Sequence, residues 1–549
     1  MNIPGTGGLQ QTHRDSWPKT KWSQLQEIAT TPNVVGVIGC ALLLLLLIFP
    51  SFPWDLRLPL YLMALVWTLL RPRVALYLMA FAVPWGSLDF INVGALRLNS
   101  ADILVIFLAL GWLINCCLPA HSGLRDREAA RVPIYLVLAM LALLATMLLS
   151  MTVALNVKDS LKEISKWLEV LVILLLGSQY LRTRRQLWTI IVLVCIAAIT
   201  QAFYGYIQAF FNLGPQSFIR SSALRVYGTF DQPNPYAAYI NMPLSITLAL
   251  TLLGRDWLTR ILAGIATVIL AAAEFLSQSR GAEIALAAAL VFIVLAGYPA
   301  MRKLFRVVIV ALLALVAAVL AGVVPQSLFN PALKFLGLTG ISLAQPSSAD
   351  YSTAERLAHW IAGLHMYFDH PILGVGIGNY PDAYPPYHIG IFIDPLGHAH
   401  NYYINIAAEM GTTGLIVYLL FLFAIFFAGA RVLTHINQKY WQARALPLQP
   451  QPPIQAPLGT ENKLKLLSRP VSMLRHYRQQ WSVETLGKIT NDRALAIGLI
   501  ATLITVNIHN FVDDVYVHSL TNLIALLLIV LISLARITPG IEKEAASGG

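Results

Sequence analysis

Apolar stretches of about 17–25 residues recur along most of this chain, and that is the length a helix rising ~1.5 Å per residue needs to cross a ~30 Å hydrocarbon layer. Inside a bilayer every backbone polar group must be satisfied by the spanning structure itself, which leaves helices or closed barrels. Barrel strands alternate apolar and polar residues, and the apolar stretches here show no such alternation. The chain is therefore read as an all-α polytopic membrane protein. Of its 549 residues 57% are hydrophobic and 12% charged, with a mean hydropathy of +0.66. That is more apolar surface than a soluble core of this length can bury.

The expected spans are 34–50, 58–70, 74–87, 101–118, 132–154, 167–181, 187–210, 237–254, 258–278, 282–298, 307–324, 402–430, 494–510 and 518–535. The second, third and sixth are short, so the expectation is about 12–14 transmembrane helices with a partly helical external cap loop. With a cytoplasmic N-terminus, every even-numbered loop is cytoplasmic, and those loops hold Arg71 and Arg73, Arg125, Arg127 and Arg131, Arg182, Arg184 and Arg185, Arg255 and Arg260, and Arg302, Lys303 and Arg306. This orientation places 28 of the 38 Lys and Arg inside, and the bias survives removal of the two longest loops, which count little in the positive-inside rule.

The organisation that follows is a cytoplasmic tail at 1–33, eleven helices within 34–324, an external cap at 325–401, a twelfth helix at 402–430, a basic cytoplasmic loop at 431–493, two helices within 494–536 and a cytoplasmic tail at 537–549. The tail at 1–33 is too long and too weakly basic for a cleavable signal, so the first span is expected to stay. The formal charge of +11 is mostly positive-inside signal and attraction to anionic membrane lipids, and nucleic acid is not an expected partner. Cys40, Cys116, Cys117 and Cys195 lie within or at the ends of spans without metal-ligand spacing, and no disulfides are inferred.

Polar residues collect on the external side. Arg220 and Arg225 fall in the loop 211–236, Arg280 in the tight Gln278-Ser279-Arg280-Gly281 hairpin near Glu274 and Glu283, and His509, Asn510, Asp513 and Asp514 in the last external turn. The cap carries Ser352-Thr353-Ala354-Glu355, a capping box, then Arg356 and apolar residues at helical spacing, and a stop at Pro371. His398-Ala399-His400-Asn401 stands at the mouth of the next span. A guanidinium near membrane depth pairs best with a phosphate or carboxylate, so converging arginines point to a bound anion; for any one alone, snorkelling to lipid phosphate or capping a helix end is the favoured explanation. Gly374-Val375-Gly376-Ile377-Gly378 superficially matches a nucleotide loop, but no strand precedes it and its glycines are expected to end the cap helix in turns. His398 and His400 with Asp394 lack an identified third ligand of metal-site spacing, so no metal is expected. Tyr384, Tyr387, Tyr402 and Tyr403 fit sugar stacking and a membrane-interface belt equally well.

Several segments resemble the O-antigen ligase and O-antigen polymerase superfamily, membrane glycosyltransferases of the C-type fold. Arg225-Val226-Tyr227-Gly228-Thr229-Phe230-Asp231-Gln232-Pro233-Asn234 is similar to its Arg-x-x-Gly-Thr-Phe-x-x-Pro-Asn segment, and Ser279-Arg280-Gly281-Ala282 to its Ser-Arg-Gly-Ala hairpin. Arg356 with Trp360, His370-Pro371-Ile372-Leu373-Gly374 with Gly378-Asn379, and His398-Ala399-His400-Asn401 with Glu409, Gly411 and Gly414 follow in the same order. The resemblance spans roughly 150–430 with an echo at His509 to Asp513; the chain departs from the common pattern in its number of spans and its long loop at 431–493.

The resemblance implies transfer of a glycan from a polyprenyl (undecaprenyl) diphosphate to an acceptor hydroxyl, with inversion, on the external face of a bacterial inner membrane, without cofactor or metal. It places His400 as base with His398 assisting, Arg225 and Arg280 on the diphosphate, and Arg220 and Arg356 as further anion contacts. Asn401, Glu409, His509 and Asp513 are secondary candidates. The acceptor separates a ligase, slightly favoured, from a polysaccharide polymerase and a protein O-oligosaccharyltransferase. A transporter or flippase of lipid-linked sugars is the alternative from another class; it would place polar residues near the bilayer midplane in two related halves, and the spans carry little central charge and no visible repeat.

Overall fold

The computed structural model describes residues 54–86, 90–93, 96–117, 132–220, 223–321, 325, 342–346, 350–445 and 461–539. The expected first span at 34–50 with Cys40, the arginines at 125–131, the early cap, and the proline-rich stretch at 446–460 lie outside the described residues, as does the side chain of Arg220. Helices dominate: α1 Trp54–Leu70, α2 Arg73–Trp85, α3 Ser100–Cys117, α4 Ile134–Ser150, α5 Val157–Val172, α6 Arg184–Phe211, α7 Pro233–Leu253, α8 Trp257–Ser277, α9 Arg280–Gly297, α10 Met301–Leu320, α11 Tyr351–Asp369, α12 Tyr402–Ala445, α13 Glu461–His509 and α14 Leu520–Ile537. Two-stranded ribbons β1 Phe90–Val93 with β2 Leu96–Asn99, and β3 Ile219–Arg220 with β4 Ala223–Leu224, sit on loops. Among the described residues nine helices are long and apolar enough to cross a membrane, and two shorter apolar helices, Leu58–Leu70 and Arg73–Trp85, accompany them. The chain is an all-α multi-pass membrane protein.

Burial separates centre from periphery. The spanning segments of α7, α13 and α14 are 78%, 89% and 78% buried, against 28–44% for the others. The outer helices present large apolar side chains such as Val268, Phe275 and Leu313, as lipid-facing surfaces do. Gly498 of α13 shows how close the central helices come: an added Cβ would lie 2.8 Å from Ile246 Cα of α7. Small residues at such contacts let backbones approach and maximise dispersion where lipid supplies no hydrophobic drive.

Helix α5 departs from the sequence reading. The expected sixth span began at 167, whereas the helix begins at Val157 and runs through a π-turn at Ile173–Gly177. Its first half is polar and was assigned to a loop, yet the polar face turns inward. Ser160 Oγ donates to Ile377 O at 2.6 Å, Lys166 Nζ to Tyr516 O at 3.1 Å, and Asn522 Nδ2 to Glu169 Oε2 at 2.6 Å. Leu161 and Leu168 face outward instead. The spans are thus less free of charge than expected; the polar residues pair with one another across helices, the form in which such groups persist at membrane depth.

The cationic loops gather at one end of the bundle around three consecutive residues of α13. Asn491 accepts from Arg255 N (2.8 Å), Asp492 receives Arg184 Nε (2.8 Å) and Trp188 Nε1 (3.0 Å), and Arg493 donates to Asn437 Oδ1 (2.7 Å) and Ala296 O (2.8 Å). The expected loop at 431–493 is therefore partly helical: α12 runs on to Ala445, and α13 starts at Glu461.

The opposite end holds the cap. Helix α11 starts at Tyr351 after Asp350, not on the Ser352 box, and ends at Asp369 before Pro371. Past it the glycine segment turns with φ of 70°, 105° and 75° at Gly374, Gly376 and Gly378. Val375 N and Gly376 N donate to Ala408 O and Glu409 O at 2.9 and 3.0 Å, carbonyls that α12 releases where Gly411 breaks its helical path (φ 64°, ψ −163°). A Cβ at Gly411 would stand 2.4 Å from the backbone of Ile372. Gly411→Ala is accordingly expected to strain this junction by on the order of 1–3 kcal/mol from conformation alone. The expected result is a lower melting temperature in detergent and faster proteolysis of the cap; an unchanged cleavage pattern would show that the junction does not hold the cap.

Candidate active site

Four separate segments converge beside the cap: the loop entering α12, the turn between α13 and α14, the stretch 225–234 before α7, and α11. Asn401 caps α12, its Oδ1 accepting from Tyr403 N (3.0 Å) and Ile404 N (3.1 Å), and Ala399 N donates to Asn405 Oδ1 (3.0 Å). This pins His400 in a left-handed conformation (φ 53°), with its carbonyl accepting from Trp360 Nε1 at 3.1 Å. The imidazole Nδ1 then lies 3.3 Å from Asp513 Oδ1, and Tyr402 N holds the facing turn through Asn510 O at 2.8 Å. His400 Nε2 is buried without a hydrogen-bond partner.

The second oxygen of Asp513 accepts from Asn234 Nδ2 at 2.5 Å, and Asn234 Oδ1 accepts from Arg225 Nη2 at 3.0 Å. Arg225 and Asn234, the two ends of one sequence segment, thus meet and connect the guanidinium to the carboxylate that faces His400. Arg225 Nε also donates to Ser277 O at 3.0 Å, at the C-terminal end of α8. Arg280 opens α9 and is exposed. The next residue, Gly281, leaves no room for a side chain, since a Cβ there would be 2.5 Å from Val512 Cγ2 and 3.2 Å from the His509 ring. That contact brings the start of α9 against the turn carrying Asp513.

Burial alone would raise the Asp513 carboxyl, but the hydrogen bond and charge of His400, with His398 and Arg356 nearby, hold it well below the usual carboxylate range. His398 is pushed down to about 3, first by burial and then by the neighbouring His400. His359 of the cap, stacked on Tyr384 with ring centroids 4.7 Å apart, falls to about 4 for the same two reasons. Both histidines are neutral near pH 7, while their unfolded counterparts take up a proton near 6.5. Because each folded value is depressed below the unfolded one, stability is complete above about pH 6.5 and declines as pH falls towards the folded values. Acidifying from pH 6.5 to 5 is expected to cost up to about 2 kcal/mol per histidine. A flat melting temperature over that interval would contradict it.

His398, His400 and Asp513 place one ligand atom each within 4.8 Å of one another, and Asp513, not Asp394, is the third member. The hydrogen bonding bears on a metal. His400 N donates to His398 Nδ1 at 3.0 Å, so that nitrogen is the acceptor and the ring proton sits on Nε2. His398 Nε2, 3.7 Å from Asp513 Oδ1, therefore points a proton at the carboxylate instead of offering a lone pair. This donor set suits a hydrogen-bonded acid–base cluster better than metal ligation.

A cavity of about 410 Å³ opens on the cluster, lined by His398, His400, Asp513, Asp514, Glu355 and His518 among others. A larger cavity of about 690 Å³ is lined mainly by apolar residues such as Val153, Leu155 and Ile372, with Tyr387 on its wall but none of the residues expected to act as base or anion contact.

Not every sequence candidate belongs to the cluster. Glu409 accepts from Gly378 N (2.9 Å) and Tyr380 N (3.0 Å), so both its oxygens are committed to docking the glycine segment. Asn401 is committed to capping. Tyr384 is buried with its hydroxyl donating to Phe392 O (2.7 Å), and Tyr402 is buried among Tyr418 and Tyr516, which leaves neither ring face for a sugar. Arg220 lies on β3, and its side chain is outside the described residues. Arg356, on α11, is near enough to His398, His509 and Asp513 to act on them electrostatically. The residues not given a role at the site from sequence are Asn234, Asp514, Glu355 and His359. Asn234 ended the segment that starts at Arg225, Asp514 stood beside Asp513 in the last external turn and Glu355 closed the capping box, whereas His359 carried no signal.

Residues 265–419 match a family model described as O-Antigen ligase. The matched stretch contains Arg280, Arg356, His398 and His400, while Arg225 and Asp513 lie outside it. No curated protein matches the chain. With the helical membrane bundle and the ordered landmarks, this matched O-antigen ligase domain at residues 265–419 supports membership of the O-antigen ligase superfamily.

Proposed function

We propose that this protein transfers a glycan from a polyprenyl diphosphate to an acceptor hydroxyl on the external face of the bacterial inner membrane. The observation that carries the reading is the continuous chain His400–Asp513–Asn234–Arg225, which joins a candidate base to a candidate anion contact. Asp513, held ionised, keeps the His400 proton on Nδ1 and leaves the Nε2 lone pair to accept a proton, the division of labour of a histidine–carboxylate pair. The acceptor hydroxyl gives its proton to Nε2 as its oxygen attacks the anomeric carbon. The bond from that carbon to the diphosphate breaks on the opposite face, and the departing charge falls to Arg225, Arg280 and Arg356, with Arg220 as a further contact. No step uses a metal or nucleotide. The orientation proposed with this chemistry puts both tails and the 431–493 segment in the cytoplasm and the cap at 325–401 outside.

The test is reconstitution in proteoliposomes with a purified polyprenyl-diphosphate glycan and EDTA. Core oligosaccharide, repeat-unit glycan and peptide hydroxyl acceptors are offered in parallel. Transfer in EDTA supports the reading, and the productive acceptor identifies ligase, polymerase or protein glycosyltransferase. Translocation of the donor without transfer to any of them would replace the enzyme with a flippase.

A further inference from the structure

The cavity over the histidine–aspartate cluster has a one-sided charge. Its described lining includes Asp231, Glu355, Asp513 and Asp514 with His398, His400 and His518, and no lysine or arginine. Arg225 is tied to the cluster through Asn234 and is not part of the described cavity wall. Arg356 follows Glu355 on α11 and acts on Glu355 and Asp513 through its field, but it is not part of the cavity wall, whose own charged side chains are acidic. His398, held neutral by burial and by His400, does not offset the carboxylates. A diphosphate placed against this wall would be repelled, so the cavity suits the other reactant. His400 is both the candidate base and part of this wall, which puts the attacking sugar on the acidic side.

We infer that this cavity is an acceptor subsite selective by charge: it takes sugars bearing hydroxyl or amino groups and discriminates against acidic sugars, with Glu355 and Asp231 as specificity-determining residues. Carboxylates accept hydrogen bonds from sugar hydroxyls and attract an ammonium, while a uronate or phosphate brings like charge into a partly desolvated space. Asp231 is 80% exposed and 3.9 Å from His518, so it acts through its field at the cavity mouth. Glu355 is half-buried and acts at closer range.

The inference rests on the transferase reading, and one set of assays separates the two. Alkyl glucoside, alkyl glucosaminide and alkyl glucuronide of equal chain length are compared as acceptors with one polyprenyl-diphosphate donor. Wild type is expected to show a kcat/KM for the glucuronide about tenfold or more below the glucoside, with the glucosaminide at least equal to it. Glu355→Gln combined with Asp231→Asn keeps the shapes and is expected to narrow the glucoside-to-glucuronide ratio by about threefold or more. Asp231→Asn alone, at an exposed position, gives a smaller shift in the same direction and guards against a folding defect in the pair. Equal use of the three acceptors by wild type, or an unchanged ratio in the double variant, overturns the charge selection and leaves the transferase reading standing. Absence of transfer to any of the three, and to the acceptors named above, overturns both.

Discussion

Replacing His400 by glutamine is expected to lower the rate of glycan transfer by about 10²–10⁴-fold, the usual contribution of a positioned general base. Glutamine retains a planar polar side chain of similar size, so the left-handed loop, held from His400 O by Trp360, should survive. Donor affinity is expected to change little, because the proposed diphosphate contacts are arginines and not His400. Asp513→Asn probes the same dyad from its other side. It removes the charge that fixes the His400 proton on Nδ1 and turns a double acceptor, of His400 and Asn234, into a group that presents a donor to one of them. A loss comparable to that of His400→Gln is expected, with the two substitutions together costing no more than the worse one, since residues acting as a unit are not additive. Full activity in His400→Gln would remove the base from the proposal, and additive losses would separate the two residues.

Substituting the arginines is the second large effect. Losing one preorganised donor to a developing oxyanion costs about 10²–10³ in kcat, and Arg225→Ala and Arg280→Ala are each expected in that range. The two differ in what else they do. Arg225 also holds Ser277 O and Asn234, so its alanine variant mixes chemistry with geometry, and Arg225→Lys restores charge without the forked contacts. Arg280 is exposed at the start of α9, so its removal is expected to lower kcat with a smaller loss of stability than Arg225→Ala. Measuring kcat and donor KM separately decides the role. Unchanged kinetics with reduced stability would reduce Arg225 to a cap on the end of α8.

Much of this site was legible before any fold was known, and the reason is visible in particular residues. His400, Arg225 and Arg280 lie in segments short enough for a local pattern to mark them. Asn234 was quoted as the end of a segment, but nine positions in sequence do not show that a loop folds back to join it to Arg225. Asp513 carried a weaker signal because its partner is 113 positions away. Glu409 was a secondary candidate without an assigned role, and in the structure its carboxylate holds a loop: only the two backbone N–H groups aimed at it show this. Helix α5 starts ten residues before the expected span at 167 because its first half is too polar for an apolar-length criterion, and only packing shows that part of this polar face turns inward.

The sequence by itself determined that the chain lives in a bilayer, roughly where its helices cross, and which loops carry its cationic excess. Those properties are one-dimensional: hydrophobic length must match membrane thickness, and charge must stay out of hydrocarbon. Tertiary structure alone decided that His400 faces Asp513, that Asn234 ties both to Arg225, and that the cavity beside them is walled by carboxylates. Each of these pairs residues from different helices or loops, set by how α7, α12 and α13 pack, and close packing between distant segments is a property that no local stretch of chain contains.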